Sequence, residues 1–158
     1  MSKSKYATTV GRKSERELLV TRTFDAPARI VYAAWTTPEL MMRWWAPKSI
    51  GTPLRSCEQD VRVGGRYRLE FGHDESQTFA FFGQYTEVVP GERLVWTNEE
   101  SDDGVISTVT FEEKDGKTLL VFTELYPTPE AVEEGMGTGM AEQFEQLDEL
   151  LAILGSGA

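Results

Sequence analysis

The sequence predicts an α+β domain in which a curved antiparallel sheet wraps around a long C-terminal helix. Between residues 129 and 154, apolar side chains recur at steps of three and four, the spacing of one helix face. From about Cys57 onward the apolar period changes to two, as in half-buried strands. A sheet of many hairpin-connected strands twists and curls, so its concave face needs a helix to cover it.

The N-terminal third predicts one strand followed by two short helices. Residues Glu17 to Phe24 are rich in β-branched and apolar side chains and form the first predicted strand. Pro27 suits the first turn of a helix, where its missing N–H costs nothing. Thr37 and Pro38 start a second short helix, which ends before Pro47.

Six antiparallel strands are predicted next, because each apolar segment is bounded by turn residues. The Gly64-Gly65 pair is typical of a tight hairpin between the first two of them. In order, the strand segments read CEQDVRV, RYRLEF, TFAFFGQYTEVV, RLVWT, VISTVTFEE and TLLVFTELY.

The C-terminal helix pairs an apolar stripe with an acidic back, so the stripe needs an apolar partner. Its first half contains Gly135, Gly137 and Gly139, each of which costs about 0.5–1 kcal/mol relative to Ala in a helix. Either the main helix begins near Gly139 and residues 129–138 form a separate short turn or helix, or the small residues let this segment move or be approached closely.

Composition and charge favour a single domain over residues 15–154, with a flexible basic arm over 1–14 and a tail over 155–158. The net charge is −10, and an acidic body repels phosphate, so we expect no nucleic acid partner. We also expect a cytoplasmic protein without membrane insertion, because the sequence contains neither a membrane-length apolar run nor a signal peptide pattern.

The chain contains one cysteine, Cys57, and one histidine, His73. A single cysteine excludes an internal disulfide and a CxxC site, and a single histidine removes most metal and triad chemistry. Cys57 is interpreted as an inert strand residue and His73 as an exposed turn residue. We therefore expect no metal and no organic cofactor.

Four segments together resemble a known family. They read FDAPARIVYAAWTTPELMMRWWAP, DVRVGGRYRLEF, FFGQYTEVVPGERLVWT and STVTFEE. In this order they are similar to the AHSA1-like branch of the START-like (SRPBCC, helix-grip) superfamily, over about residues 17–154. The resemblance implies the helix-grip fold and a hydrophobic cavity. It implies no particular chemistry, because members of the superfamily include lipid carriers, hormone receptors and polyketide cyclases.

One departure from the family concerns the helix. The glycine that matches Gly139 is typically followed by Trp in this family, whereas here Met140 follows it. Methionine fills irregular space and adapts to varied partners. This departure leaves either a larger, softer pocket or a core repacked around a different side chain.

The sheet face that meets the helix predicts the binding site. Most of its large side chains are core, each contributing about 1.5–3 kcal/mol by burial. Apolar walls and polar anchors for a ligand are predicted from this face and from the helix stripe. These residues are Tyr67, Phe81, Tyr85, Trp96, Phe122, Glu124, Met136 and Met140.

Glu124 is the carboxylate of this face, because alternation places it with Leu120 and Phe122. Burial there would raise its pKa unless a partner compensates the charge. It either orients a ligand or acts as a general acid or base, or it simply lies at a wet strand end or beside an arginine.

The main functional hypothesis is a binder of a small apolar or amphipathic molecule. One alternative is a cyclase or hydrolase that uses the same cavity, although the sequence offers no coherent catalytic dyad and no catalytic residue is assigned. Another is a chaperone- or protein-interaction module. A homodimer is a further expectation, because Leu119 and Val121 make the outer sheet face apolar.

Overall fold

The computed structural model describes residues 8–100, 104–136 and 140–157. Within these residues a single antiparallel sheet has the order β1-β2-β8-β7-β6-β5-β4-β3. The strands are β1 Thr9–Ser14, β2 Glu17–Phe24, β3 Leu54–Gln59, β4 Arg66–Asp74, β5 Gln77–Val89, β6 Arg93–Thr97, β7 Ile106–Lys114 and β8 Lys117–Leu125.

The described helices are α1 Ala28–Thr36, α2 Pro38–Trp44, α3 Pro129–Met136 and α4 Met140–Gly157, with a 3-10 turn at Lys48–Ile50. This arrangement confirms the predicted α+β architecture with two short helices after the strand Glu17–Phe24. In the described part of the chain, no helix combines the length and apolar character needed to cross a membrane.

The prediction of a flexible arm over residues 1–14 is wrong for residues 9–14, which form β1. This strand pairs antiparallel with β2, for example Val10 with Val20. β1 is mostly exposed and shows no alternation of buried and exposed residues. Backbone pairing at the sheet edge holds it in place, so the pattern of side chains could not reveal it.

Of the predicted long helix over residues 129–154, the structure describes α3 and α4, on either side of residues 137–139. The predicted start of the main helix near Gly139 lies outside the described residues. Gly137 and Gly139 lie outside the described residues. The stripe of α4 is buried as predicted, at Phe144, Leu147 and Leu151.

The tight hairpin predicted at Gly64-Gly65 is also wrong, because residues 60–65 form a longer connection between β3 and β4. A side chain at Gly65 would collide with the carbonyl of Asp60. The Gly64 N–H donates to the Tyr85 carbonyl, and the Tyr85 N–H donates to the Gly65 carbonyl, each at 2.8 Å. The two glycines therefore extend the pairing with β5 instead of closing a two-residue turn.

The core centres on Trp35 of α1, whose side chain is 1% exposed. Its ring stacks on Phe122 of β8, with the centroids 6.1 Å apart, and meets Phe144 of α4 edge-on at 6.3 Å. Helix α1 is therefore fixed between the sheet and α4. The other rings within 6.3 Å of Trp35 are those of Trp44, Trp45, Trp96 and Phe111.

One buried charge joins the sheet to α4. Arg22 of β2 is 5% exposed, and its Nη2 lies 3.3 Å from Oδ2 of Asp148. Its guanidinium also donates to Thr8 at 3.0 Å and lies 5.6 Å from the centre of the Phe24 ring. The pattern of apolar residues in the sequence did not indicate this ion pair.

The outer face of the sheet is more polar than predicted. Val121 pairs with Thr21 on one side and Thr110 on the other, and Leu119 pairs with Thr23 and Glu112. Threonine and glutamate thus surround the two apolar residues. Homodimerisation through this face stays a prediction.

Removing the Phe144 side chain should destabilise the fold, because the ring is fully buried against Trp35 and Phe24. We expect Phe144→Ala to lower the free energy of unfolding by about 3–5 kcal/mol in urea titrations. Phe79→Ala is the matched control, since Phe79 is 52% exposed, and it should cost no more than about 1 kcal/mol. Equal losses in the two variants would contradict this account of the core.

Candidate functional site

A cavity of about 470 Å³ lies between the concave face of the sheet and the helices. This volume falls within the range of about 300–1,000 Å³ that is typical of small-molecule sites. Its apolar wall comes from α1, α2, the segment after α2, and strands β4 to β6. The apolar lining residues are Trp35, Met41, Trp45, Pro47, Leu69, Phe71, Phe79, Phe81, Leu94, Trp96 and Val105, together with the rings of Tyr67, Tyr85 and Tyr126.

Alternation along β4 explains one side of this wall. Tyr67, Leu69 and Phe71 share the buried face, while Arg66 and Arg68 point outward. Phe71 stacks on Phe79 of β5, with the ring centroids 5.3 Å apart. Its neighbours Phe79 and Phe81 are exposed, so an apolar aromatic surface faces water at the β4–β5 end of the cavity.

The polar end of the cavity is organised around Glu124 of β8. Ser107 Oγ donates to one carboxylate oxygen at 2.7 Å, and Tyr126 Oη donates to the other at 2.5 Å. Burial raises the pKa of the Glu124 carboxyl above its usual value, and the two hydroxyl donors offset part of this effect. The side chain keeps some accessible surface because it faces the cavity.

The direction of this hydrogen-bond network is set by a backbone carbonyl. Asn98 Nδ2 donates to the carbonyl of Val105 at 3.1 Å and to Oγ of Ser107 at 2.9 Å. A carbonyl only accepts, so the amide nitrogen must face it, and the Ser107 proton is left for Glu124. The network of Glu124, Ser107, Tyr126 and Asn98, hereafter the Glu124 network, therefore delivers donors to the carboxylate.

Tyr67 of β4 contacts the Glu124 network at this end of the cavity. Its hydroxyl donates to the carbonyl of Thr97 at 2.6 Å and lies 3.3 Å from Oδ1 of Asn98. The same Thr97 carbonyl lies against Gly83, where a Cβ would collide with it. Burial raises the pKa of the Tyr67 phenol, which therefore remains a donor.

A second polar group lies where α1 meets the sheet. Gln59 Nε2 donates to the carbonyl of Trp35 at 2.8 Å and to Oη of Tyr85 at 3.1 Å. Burial raises the pKa of Tyr85 to about 12, so this phenol is also neutral. The amide thus ties the C-terminal part of α1 to the strand that carries Tyr85.

The predicted site residues fall into three groups. The structure brings Tyr67, Phe81, Tyr85, Trp96 and Glu124 together around the cavity, and their contact with a ligand stays a prediction. Two others, Phe122 and Met140, are buried in the core and do not line the cavity, and the side chain of Met136 lies outside the described residues.

Trp35 explains the placement of Phe122, because the indole stacks on that ring and occupies the space above it. Four further residues of the site were not predicted from the sequence: Trp35, Tyr126, Asn98 and Gln59. Alternation could have found Tyr126, which follows Glu124 by two residues. The other three come from a helix, a strand end and an edge strand, whose distance from Glu124 depends on the assembled fold.

Neither Cys57 nor His73 belongs to the cavity wall. Cys57 is half-buried, and burial together with Glu39 and Glu58 raises the pKa of its thiol to about 12. His73 is exposed near the end of β4. The described residues gather no group of three or more His, Cys, Asp or Glu that could hold a metal ion.

Gly83 should be intolerant of a side chain. We expect Gly83→Ala to lower the free energy of unfolding by about 1–3 kcal/mol, because the backbone must move away from Thr97. Gly11→Ala in β1 is the matched control, since a Cβ there meets open space and should change stability little. Comparable unfolding midpoints for the two variants in urea would refute the close approach at Gly83.

Glu124 should make stability depend on pH. The folded state binds the Glu124 proton more tightly than the unfolded chain, whose carboxyl titrates near the ordinary pKa of 4.5. Stability is therefore lost as the pH rises from that value through the raised pKa. The free energy of unfolding of Glu124→Gln, relative to wild type, should shift in favour of the variant between about pH 4 and about pH 8.

The control for this titration is Glu112→Gln, which removes an exposed carboxylate on the outer sheet face. It should show no such shift between the two pH values. A Glu124→Gln difference that stays constant with pH, or moves in favour of wild type as the pH rises, would contradict the raised pKa.

Comparison with known proteins places this chain in a family. The profile of the family described as "Activator of Hsp90 ATPase homolog 1-like protein" (AHSA1) matches residues 25–152, and no curated protein matches the chain. A Rhodobacter sphaeroides structure is similar at 27% identity and a TM-score of 0.82, over 93% of this chain and 99% of its own.

Two further solved structures show the fold alone. One, from Nitrosomonas europaea, has 23% identity and a TM-score of 0.79, covering 91% of this chain and 99% of its own. The other, described as an AHSA1-like protein from Aeromonas hydrophila, has 24% identity and a TM-score of 0.69, covering 87% and 94%. Because the family profile spans both the helices and the sheet that enclose the cavity, the chain belongs to the AHSA1-like family of the helix-grip fold.

Proposed function

We propose that this protein binds a small hydrophobic or amphipathic molecule in the cavity between the sheet and the helices. The observation that carries the proposal is the combination of a 470 Å³ cavity, a largely aromatic wall and a polar end organised around Glu124. Ligand sites are typically apolar clefts with a few placed polar groups that fix orientation. The aromatic wall would bury the apolar body of the ligand, and the Glu124 network would orient its polar group.

The exposed aromatic residues support this proposal. Phe79 and Phe81 pack with Phe71 along the cavity but remain open to water. Apolar surface in water costs about 25 cal/mol per Å², and a bound apolar molecule would cover part of it. Neighbouring exposed apolar side chains of this kind are typical of binding sites.

The ionisable groups of the site also favour binding over nucleophilic catalysis. Burial raises the pKa of the phenols of Tyr67, Tyr85 and Tyr126. The three phenols are therefore held in their protonated forms, which donate hydrogen bonds but are weak nucleophiles. Glu124 has a raised pKa as well, and the enzyme alternative rests on this carboxyl acting as a general acid.

A neutral fluorescent probe tests the proposal. N-phenyl-1-naphthylamine should bind wild type with a saturable rise in fluorescence. Leu69→Trp should weaken this binding at least about tenfold, because Leu69 lines the cavity and a larger side chain fills it. Leu119→Trp adds the same indole on the outer face of the sheet and should leave the affinity within about twofold.

Circular dichroism melts of the same samples establish that both variants are folded. Binding that survives Leu69→Trp, or falls equally in Leu119→Trp, would place the probe elsewhere and contradict the proposal. Absence of saturable binding to wild type would contradict it directly.

A further inference from the structure

We propose that the cavity selects an apolar molecule that carries a protonated amine, received by Glu124, over molecules that carry a carboxylate or phosphate. This inference rests on the proposed function and adds the chemical class of the ligand. It follows from three features of the described residues: the charge of the lining, the absence of a cationic partner of Glu124 among their ion pairs, and the aromatic rings of the cavity wall.

The lining of the cavity carries charge of one sign. Glu124 and Glu100 are its carboxylic acids, and the lining residues that the structure describes include no Lys, Arg or His. The protein as a whole has a net charge of −10. A carboxylate or phosphate in this low-dielectric space would face like charge without a cation to receive it.

Glu124 has no cationic partner among the ion pairs of the described residues. Ser107 and Tyr126 each occupy one position on a different carboxylate oxygen. A carboxylate accepts about four hydrogen bonds, so each oxygen keeps a further position, and Glu124 lies at the cavity wall. A buried carboxylate that lacks its counter-charge is stabilised strongly when one arrives.

The tyrosine and tryptophan rings of the cavity wall are suitable for an organic cation. The rings of Tyr67 and Tyr85 have their centroids 5.8 Å apart, and those of Tyr85 and Trp96 lie 6.4 Å apart, which forms a continuous aromatic wall. Aromatic faces attract ammonium groups, most strongly where water is excluded. A metal ion is a poorer match, because the described residues provide no cluster of three ligands.

The test uses three probes with the same ring system: 1-naphthylmethylamine, 1-naphthylmethanol and 1-naphthoate. Calorimetric titration of wild type at neutral pH should give an affinity for the amine about tenfold or more above that for the alcohol. The naphthoate should bind more weakly than the alcohol. The alcohol has the shape of the amine without its charge, so the ratio isolates the contribution of the ammonium.

Glu124→Gln is the decisive variant, because it keeps the shape of the side chain and removes its charge. The amine-to-alcohol ratio should fall to within about twofold of unity in this variant. Glu112→Gln changes the net charge equally but lies on the outer face of the sheet, and it should keep the wild-type ratio. The wild-type ratio itself requires no variant, so the test stands even where Glu124→Gln fails to fold.

The outcomes separate this inference from the proposed function. If the alcohol or the naphthoate binds wild type as tightly as the amine, the inference is overturned, while the proposed function stands. An amine preference that persists in Glu124→Gln overturns the role of Glu124 and hence the inference. If none of the three binds but N-phenyl-1-naphthylamine does, only the inference fails, and if no probe binds at all, both fail.

Discussion

The fold depends on the packing of Trp35 between the sheet and α4. The indole contacts rings from α2, β6, β7, β8 and α4, so a single residue fixes two short helices against both layers. Aromatic pairs contribute about 0.5–1.5 kcal/mol beyond their buried area. The carbonyl of Trp35 is also held by Gln59, which ties the helix to the edge strand β3. Trp35 also contributes to the wall of the cavity, so the core and the cavity share this residue.

Helix α4 contributes more than an apolar stripe. Gln146 Nε2 donates to the carbonyls of Trp44 and Ala46, each at 2.9 Å, and its Oε1 accepts from the N–H of Lys48 at 3.0 Å. After α2 ends, these backbone groups have no partner within a helix, and the side chain of Gln146 provides their hydrogen bonds. The segment that carries Trp45 and Pro47 is held over the cavity in this way, so the same helix supports the core and one wall of the site.

The sheet face of the site could be predicted from the sequence because successive side chains of a strand point to opposite faces of the sheet. Tyr67, Trp96 and Glu124 were assigned to the concave face on that basis. Which side chains of this face line the cavity and which are buried in the core was not predictable. Phe122 shares the face of Glu124 but lies under the indole of Trp35, which belongs to a helix distant in sequence. The partners of Glu124 were missed for a related reason. Ser107 reaches it through the register of β7 on β8, which no local pattern specifies.

Among the described residues, the carboxylate of Glu124 is held by neutral hydrogen-bond donors and not by a positive charge. Ser107 and Tyr126 donate to Glu124, and Asn98 donates to Ser107, although the carboxylate would cost less to bury if an arginine faced it. The fold provides such a pair between Arg22 of β2 and Asp148 of α4, so it is able to build one. At Glu124 it builds hydroxyl donors instead, and these keep the carboxylate in place without neutralising it. A carboxylate positioned in this way leaves its compensating charge to be supplied from the cavity.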